Sequence, residues 1–209
     1  MMKVKALVLG SMRTNCYIGS HPETKAAFIV DPGADAAAIQ SYIAEEGLLP
    51  EMILLTHGHY DHIGAVNELR AAYDIPCLCA RTEAPLVGDP ALNLSSSFGR
   101  KHVTAIPDEV LDEGERTVIG YGMQIIATPG HTGGGMCFYF PTEKLIFTGD
   151  TLFRGTIGRT DLPTGDYEAL LKSLNVKLMR LDDDVIVYPG HGFRSTIAIE
   201  REQNPYVEK

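Results

Sequence analysis

The sequence predicts a mixed α/β chain, and three observations carry that expectation. Short apolar runs rich in Val, Ile and Leu alternate with stretches whose apolar residues recur at helical spacing. Potential metal ligands stand just after four of the apolar runs, where turns leave the strands. No linker rich in Pro, Gly or charge divides the 209 residues, a length suited to one domain spanning 1–209.

Residues 4–9, 14–19 and 26–30 read as antiparallel strands separated by turns containing Gly, Ser or Pro. A helix follows at 35–46, with Ala36, Ile39, Ile43 and Ala44 on its buried side. The run Met52-Ile53-Leu54-Leu55 is a buried strand, and Ile63-x-x-Val66-x-x-Leu69 places a helix over 62–73. A strand at 75–80 carries Cys77 and Cys79 on one face, where buried thiols act as small hydrophobes. Residues 83–104, including Asp89-Pro90, Asn93 and Ser95-Ser96-Ser97-Phe98-Gly99, form the longest stretch without clear periodicity. That stretch is either a surface connection or a loop over a pocket, since long loops in compact domains are often functional. The second half repeats the plan, with strands near 117–119, 123–128, 136–140 and 144–148, a helix at 166–179, a strand at 185–188 and a helix near 195–203.

Lys and Arg number 18 against 27 Asp and Glu, a net charge of −9, which is a poor match for nonspecific nucleic-acid binding. The amino end has no sustained apolar core or small-residue cleavage site, so no signal peptide is expected. No stretch approaches membrane-spanning length. Four cysteines, Cys16, Cys77, Cys79 and Cys137, without a disulfide framework suit a reduced, cytoplasmic protein.

The chemistry concentrates in Thr56-His57-Gly58-His59-Tyr60-Asp61-His62, on a strand-to-helix turn. Imidazole with carboxylate fits a borderline divalent metal. His57 and His59 share a face of an extended segment, whereas Asp61 and His62 lie past the bend, so two adjacent metals explain the cluster better than one. A lone His-rich turn could be a surface tract that binds nothing. Three further candidates argue otherwise: Thr128-Pro129-Gly130-His131, Thr148-Gly149-Asp150 and Tyr188-Pro189-Gly190-His191 each end an apolar run, with a Gly that permits a tight turn. Asp61 has a second reading as a helix N-cap. Thr56, Asp31 and Thr132 are either orienting partners of metal-bound groups or structural turn residues. Arg154, Arg159 and Arg194 either attract an anionic substrate or pair with acids such as Asp161. His21 and His102 lie outside these motifs.

The series T-H-x-H-x-D-H, P-G-H-T, T-G-D and P-G-H resembles the metallo-β-lactamase fold superfamily. Within it the chain is most similar to the short single-domain, glyoxalase II-like group. Thr14-Asn15-Cys16-Tyr17, Ile29-Val30-Asp31-Pro32-Gly33, Leu152-Phe153, Gly158-Arg159-Thr160-Asp161-Leu162-Pro163, Gly165-Asp166 and Glu200-Arg201-x-x-Asn204-Pro205 add to the likeness, which spans about residues 4–207. The resemblance implies a four-layer αββα sandwich of two mixed sheets. It also implies two divalent metal ions, Zn²⁺ foremost with Fe or Mn as other choices. His57, His59 and His131 would hold one ion, Asp61, His62 and His191 the other, and Asp150 would bridge them, making Asp61 and Asp150 the candidate catalytic carboxylates.

Two cations roughly 3.5 Å apart lower the pKa of a bridging hydroxide toward neutrality. That hydroxide would attack a thioester whose thiolate departs without strong acid assistance. The implied activity is therefore hydroxyacylglutathione hydrolysis, with S-D-lactoylglutathione yielding D-lactate and glutathione in methylglyoxal detoxification. The expected partner is a small glutathione-derived thioester, with no nucleic acid and no membrane; nothing in the sequence speaks to oligomeric state. Larger glyoxalase II enzymes add a C-terminal helical region that grips glutathione, and this sequence ends soon after Asn204-Pro205, so the reaction class transfers better than the thiol carrier. The alternatives are a mononuclear iron persulfide dioxygenase, a lactonase or other ester hydrolase of the fold, and a non-catalytic metal-binding module.

Overall fold

The computed structural model describes residues 1–208, which divide into two compact units. The first comprises Met1–Leu111 with Val118–Gly120, and the second Asp112–Thr117 with Tyr121–Lys209.

In the first unit, β1 (Lys3–Leu9), β2 (Thr14–Ser20), β3 (Ala26–Val30), β4 (Leu49–Leu54), β5 (Cys77–Ala80) and β6 (Glu109–Leu111) form a six-stranded sheet in sequence order. The pairs β1–β2 and β2–β3 are antiparallel and joined by turns; β3 through β6 run parallel. Parallel neighbours require crossovers. Those are supplied by α1 (Ala36–Glu46), by α2 (Tyr60–Ile63) with α3 (Val66–Tyr73), and by the segment containing α4 (Ala84–Gly88). Ile18, Ile29, Ile39, Ile53, Val66 and Leu69 meet in the core between sheet and helices.

Helix α1 begins where the Asp35 carboxylate accepts from the Ala38 N–H, and it ends at Gly47, left-handed at φ 62°. Its buried residues are Ala36, Ile39 and Ile43. Ala44, expected on that face, is exposed, because one residue past Ile43 turns the side chain about 100° around the axis. The helix expected at 62–73 is broken into α2 and α3 by a backbone crossing. A Cβ on Gly64 would stand 2.2 Å from the Gly33 carbonyl oxygen, and the Ala65 N–H donates to Pro32 O instead of continuing the helix.

The second unit holds a sheet in the order β14–β13–β10–β9–β8–β7, from β7 (Gly114–Val118), β8 (Tyr121–Ala127), β9 (Met136–Phe140), β10 (Leu145–Gly149), β13 (Ile186–Pro189) and β14 (Ser195–Thr196). A small hairpin, β11 (Leu152–Phe153) with β12 (Thr156–Ile157), follows β10. The helix expected at 166–179 is regular only over α5 (Tyr167–Lys172), then widens into a π turn at Ser173–Lys177 and tightens at Leu178–Arg180. The widening begins at Ser173, whose buried hydroxyl donates to Pro129 O at 2.8 Å. Helix α6 (Ile197–Gln203) is capped by Thr196. Leu174, Leu178 and Ile197 pack with Ile146, Val185 and Val187 in this unit's core. All four cysteines are buried and outside any disulfide, and burial pushes the Cys77 thiol up and that of Cys79 to about 12. Among the described residues no helix is long and apolar enough to cross a membrane.

The motif Glu200-Arg201-x-x-Asn204 now has a physical account. Glu200 is fully buried and accepts from the Gly155 N–H at 2.8 Å, from Asn204 Nδ2 at 2.8 Å and from the Ser195 hydroxyl. It thereby ties the β11–β12 turn to the strand after His191. Glu200→Ala would strand three donors and is expected to lower stability by about 3 kcal/mol. A urea midpoint equal to that of the parent protein would show that the carboxylate is not the tie.

Candidate metal centre

Parallel strands bring their carboxyl ends, and the turns that leave them, to one edge of a sheet. In the first unit β3 ends at Val30, so Asp31 follows it, and the turn 55–59 follows β4 beside it. Asp31 is 1% exposed and adopts φ 50°, a left-handed conformation that Asp tolerates better than most residues. The bend aims its carboxylate across at the neighbouring turn. One oxygen accepts from the Thr56 N–H at 2.8 Å; the other accepts from the Thr56 hydroxyl at 2.6 Å and from His62 Nδ1 at 3.0 Å.

These bonds determine where the histidine protons sit. A carboxylate only accepts, so His62 carries its proton on Nδ1 and its lone pair on Nε2. The single Thr56 hydroxyl proton goes to Asp31, so the Thr56 oxygen must accept from His57 Nδ1, 3.1 Å away. His57 therefore has the same tautomer. One buried carboxylate sets two imidazoles, one directly and one through a hydroxyl. Donor atoms of Asp31, His57 and His62 lie within 4.8 Å of one another, but the Asp31 oxygens already accept three hydrogen bonds, so its part is orientation.

The rest of the turn is held by its backbone. Glu83, 1% exposed after β5, accepts from the Gly58 N–H at 2.9 Å, between His57 and His59. His59 is the residue before α2 and makes no side-chain cap bond, whereas Asp61 lies inside α2; the N-cap reading of Asp61 is thus set aside. Thr14 donates to Asp61 Oδ2 at 2.8 Å. A Cβ on Gly33 would lie 1.6 Å from the Asp61 carbonyl oxygen, so the chain after Asp31 passes where only glycine fits.

The second unit repeats the arrangement. Strands β8, β10 and β13 run in one direction, through the antiparallel β9 and the parallel β10–β13 pair. Their carboxyl ends lead to His131, Asp150 and His191. The Gly190 N–H donates to Gly149 O at 2.7 Å, joining the last two turns directly. Gly149 is left-handed at φ 49°, and Gly130 has φ 139° with Leu170 so close that a Cβ would stand 2.3 Å from its backbone. His131 Nδ1 donates to the Arg159 carbonyl at 2.7 Å, which again leaves the lone pair on Nε2. Asp150 Oδ2 is 3.5 Å from His131 Nε2 and 3.6 Å from His191 Nε2. In the first unit His62 Nε2 and Asp61 Oδ2 are likewise 3.6 Å apart.

Those three separations exceed a good N–H···O hydrogen bond. They match two donor atoms on one cation: with bonds of about 2.1 Å, tetrahedral ligands stand about 3.4 Å apart. Imidazole nitrogens with their other nitrogen tied, and carboxylate oxygens at ligand spacing, fit a divalent ion. Within its own unit, each predicted ligand stands just past the strand end to which the sequence assigns it, with Asp61 and His62 in the short helix α2. Thr132 is buried beside His131. Arg159 forms a two-point pair with Asp161, holding that carboxyl down near 2, which favours the ion-pair reading over anion capture. Arg154 and Arg194 are exposed, as is His102. Sequence reasoning missed Glu83, an acid inside an unpatterned stretch, and the Arg159 carbonyl, which side-chain identity cannot reveal.

The family model described as the metallo-β-lactamase superfamily matches residues 10–191. The chain belongs to that superfamily. Its fold is the superfamily's α/β fold, two mixed sheets with helices on each, and the family is one of metal-binding hydrolases. The hydroxyacylglutathione hydrolase GloC of Haemophilus influenzae is 36% identical over 209 residues, covering 99% of this chain and 98% of that protein. The crystal structure of BLEG-1, a B3 metallo-β-lactamase, is 39% identical with a TM-score of 0.94, covering 98% of this chain and 99% of that one. TTHA1623 in a di-iron-bound form is 35% identical with a TM-score of 0.84, covering 97% and 99%.

Asp31→Asn places an amide where two donors converge. It is expected to weaken zinc affinity about 10- to 100-fold with an unchanged circular dichroism spectrum. Equal affinity in a chelator competition would mean that something else sets the two imidazoles. A Cβ on Gly158 would lie 1.9 Å from Asp150 O and 3.0 Å from His131 Nδ1, so Gly158→Ala should lower metal content. Gly122→Ala, where a Cβ meets open space, should retain it; equal metal content in the two variants would refute the crowding argument.

Proposed function

We propose that this chain is a dinuclear metallohydrolase acting on a glutathione thioester, with S-D-lactoylglutathione as substrate and D-lactate and glutathione as products. The observation that carries the reading is Asp150 Oδ2, one carboxylate oxygen at ligand spacing from both His131 and His191. A carboxylate so placed can serve two cations. In the proposal His57, His59 and His131 hold one ion, Asp61, His62 and His191 the second, and Asp150 is common to both. Membership of the superfamily and the tautomers set at His57, His62 and His131 support this assignment.

When bound, such a cation pair supplies a water activated near neutral pH and Lewis acidity toward the carbonyl oxygen. The chain's residues do the rest. Asp31 and Thr56 keep imidazole lone pairs facing inward, and Thr14 holds the Asp61 carboxylate in position. Hydrolysis breaks the carbonyl C–S bond and adds the elements of water. The departing thiolate needs no strong acid. The likeness to GloC over nearly the full length of both chains favours glutathione as carrier. Zinc is the proposed metal; TTHA1623 in its di-iron form makes iron the first competitor. Four buried thiols without a disulfide accord with a cytoplasmic setting for methylglyoxal detoxification.

The test measures metal per chain and turnover on the same sample. About two metals with hydrolysis of S-D-lactoylglutathione are expected. A β-lactam hydrolysed in preference to the thioester would move the chain toward the BLEG-1 activity. One iron per chain, no hydrolysis and oxygen uptake with glutathione persulfide would replace the reading with a dioxygenase. Asp150→Ala should abolish turnover and lower metal content, and a variant keeping both would refute the bridge.

A further inference from the structure

A groove of about 400 Å³ opens in the first unit beside the metal turn, within the roughly 300–1,000 Å³ usual for small-molecule sites. Thr14, Tyr60 and Asp61 form the end nearest the proposed ligands. Met12 and Ala37 line it further along, and Glu68, Arg100 and Lys101 supply its charge. Two other acids border it: Asp35, exposed, caps α1 and keeps its charge, while Asp61 accepts from Thr14 and is a proposed metal ligand. Glu68, Arg100 and Lys101 are exposed, and among the described residues none of the three is in an ion pair. The groove therefore offers two uncommitted cations and one uncommitted anion, with the charge of Asp35 beside them.

The segment bearing the cations is anchored by its own buried polar bonds. Asn93, fully buried, donates from Nδ2 to Val103 O at 2.8 Å, and the Val103 N–H donates to the hydroxyl of buried Ser95 at 2.9 Å. Asn67 Nδ2 donates to Thr104 O at 2.7 Å, and a Cβ on Gly99 would lie 2.5 Å from Ser95 O. The Tyr60 N–H donates to Asn93 O at 2.9 Å, which fastens this segment to the turn carrying His59 and Asp61. A loop shaped before the ligand arrives does not incur the full ordering cost on binding.

We propose that this groove seats the glutathione part of the substrate, with Arg100 and Lys101 receiving its two carboxylates and Glu68 its ammonium group. The inference rests on the thioester reading above and identifies where the carrier is recognised. The pairing of groups carries it: a glutathione thioester bears two carboxylates, which Arg100 and Lys101 can meet, and one ammonium, which Glu68 can meet with Asp35 as a second anion in the groove. Arg gives the fork that a carboxylate accepts in two bonds, and Lys gives a point charge. Glutathione recognition is thereby placed on the segment from Asn93 to Val103.

The test uses S-methylglutathione, a thioether with nothing to hydrolyse, so that it stands apart from turnover. Calorimetric binding to the metal-loaded protein should weaken at least tenfold in the Arg100→Ala/Lys101→Ala variant. Glu68→Gln should weaken it several-fold, and all these affinities should fall with added salt. Metal content and thermal midpoint of each variant establish that the fold is retained. In turnover, the preference for S-D-lactoylglutathione over the uncharged S-lactoyl-N-acetylcysteamine should drop about tenfold in the double variant. Undiminished affinity in that variant, or no binding by the parent protein, overturns the groove assignment whatever the turnover result. Tight, charge-dependent binding of S-methylglutathione without thioester hydrolysis would uphold the groove and discard the proposed reaction.

Discussion

The buried carboxylate of Asp31 is the interaction on which the first unit's metal turn depends. Its cost is plain: an ionised group taken out of water requires compensating hydrogen bonds. Three donors supply them: two belong to Thr56 in the turn that follows the neighbouring strand, and the third is His62 in α2. The same bonds hold that turn in place and choose the tautomer of His57 and His62. An imidazole in the opposite tautomer would point an N–H at a cation. The second unit reaches the same end with a backbone carbonyl, that of Arg159, on His131. A carbonyl costs less to bury than a carboxylate but serves only one histidine.

Close backbone approach is the second constraint, and it explains glycines that look unremarkable in the sequence. Gly33 admits the Asp61 carbonyl and Gly158 admits the Asp150 carbonyl, each at a distance no side chain would allow. In both units, therefore, a residue bearing a proposed ligand packs its main chain against a glycine of another turn. Side-chain hydrogen bonds then set the rotation of the rings, while backbone packing sets where the rings begin. A substitution of either kind reaches the donor atoms without touching them.

The strands, and the strand-end positions of the candidate ligands, were legible in the sequence because both signals are local. An apolar run bounded by glycine marks a strand end, and His or Asp just beyond it marks a donor. The errors came where distant backbone intervenes. Nothing in Ile63-x-x-Val66-x-x-Leu69 reveals that Gly33 lies across the helix and breaks it at Gly64. The π turn after Lys172 likewise begins where Ser173 meets Pro129, far away in sequence. Glu83 was unreadable because an acid in an aperiodic stretch is usually solvated, and only tertiary structure buries this one. The sequence of residues 83–104 is compatible with either a surface connection or a pocket loop. The buried Asn93 and Ser95 and the groove-lining Gly99, Arg100 and Lys101 favour the pocket.

On the proposed assignment, the segment from Asn93 to Val103 separates two tasks that one loop cannot easily share. Metal ligands must sit within a fraction of an ångström, so they stand on turns gripped by sheet edges and buried acids. Carrier recognition tolerates longer, exposed side chains, so it can lie on a connection whose length and charge are free to vary. The Tyr60–Asn93 bond joins the two at a single backbone point. Under that assignment, substitutions at Arg100 and Lys101 would alter carrier recognition without moving His57, His59 or Asp61. With the aperiodic connection free to vary in length and charge, what is received there can change while the turn carrying His57 and His59 stays fixed.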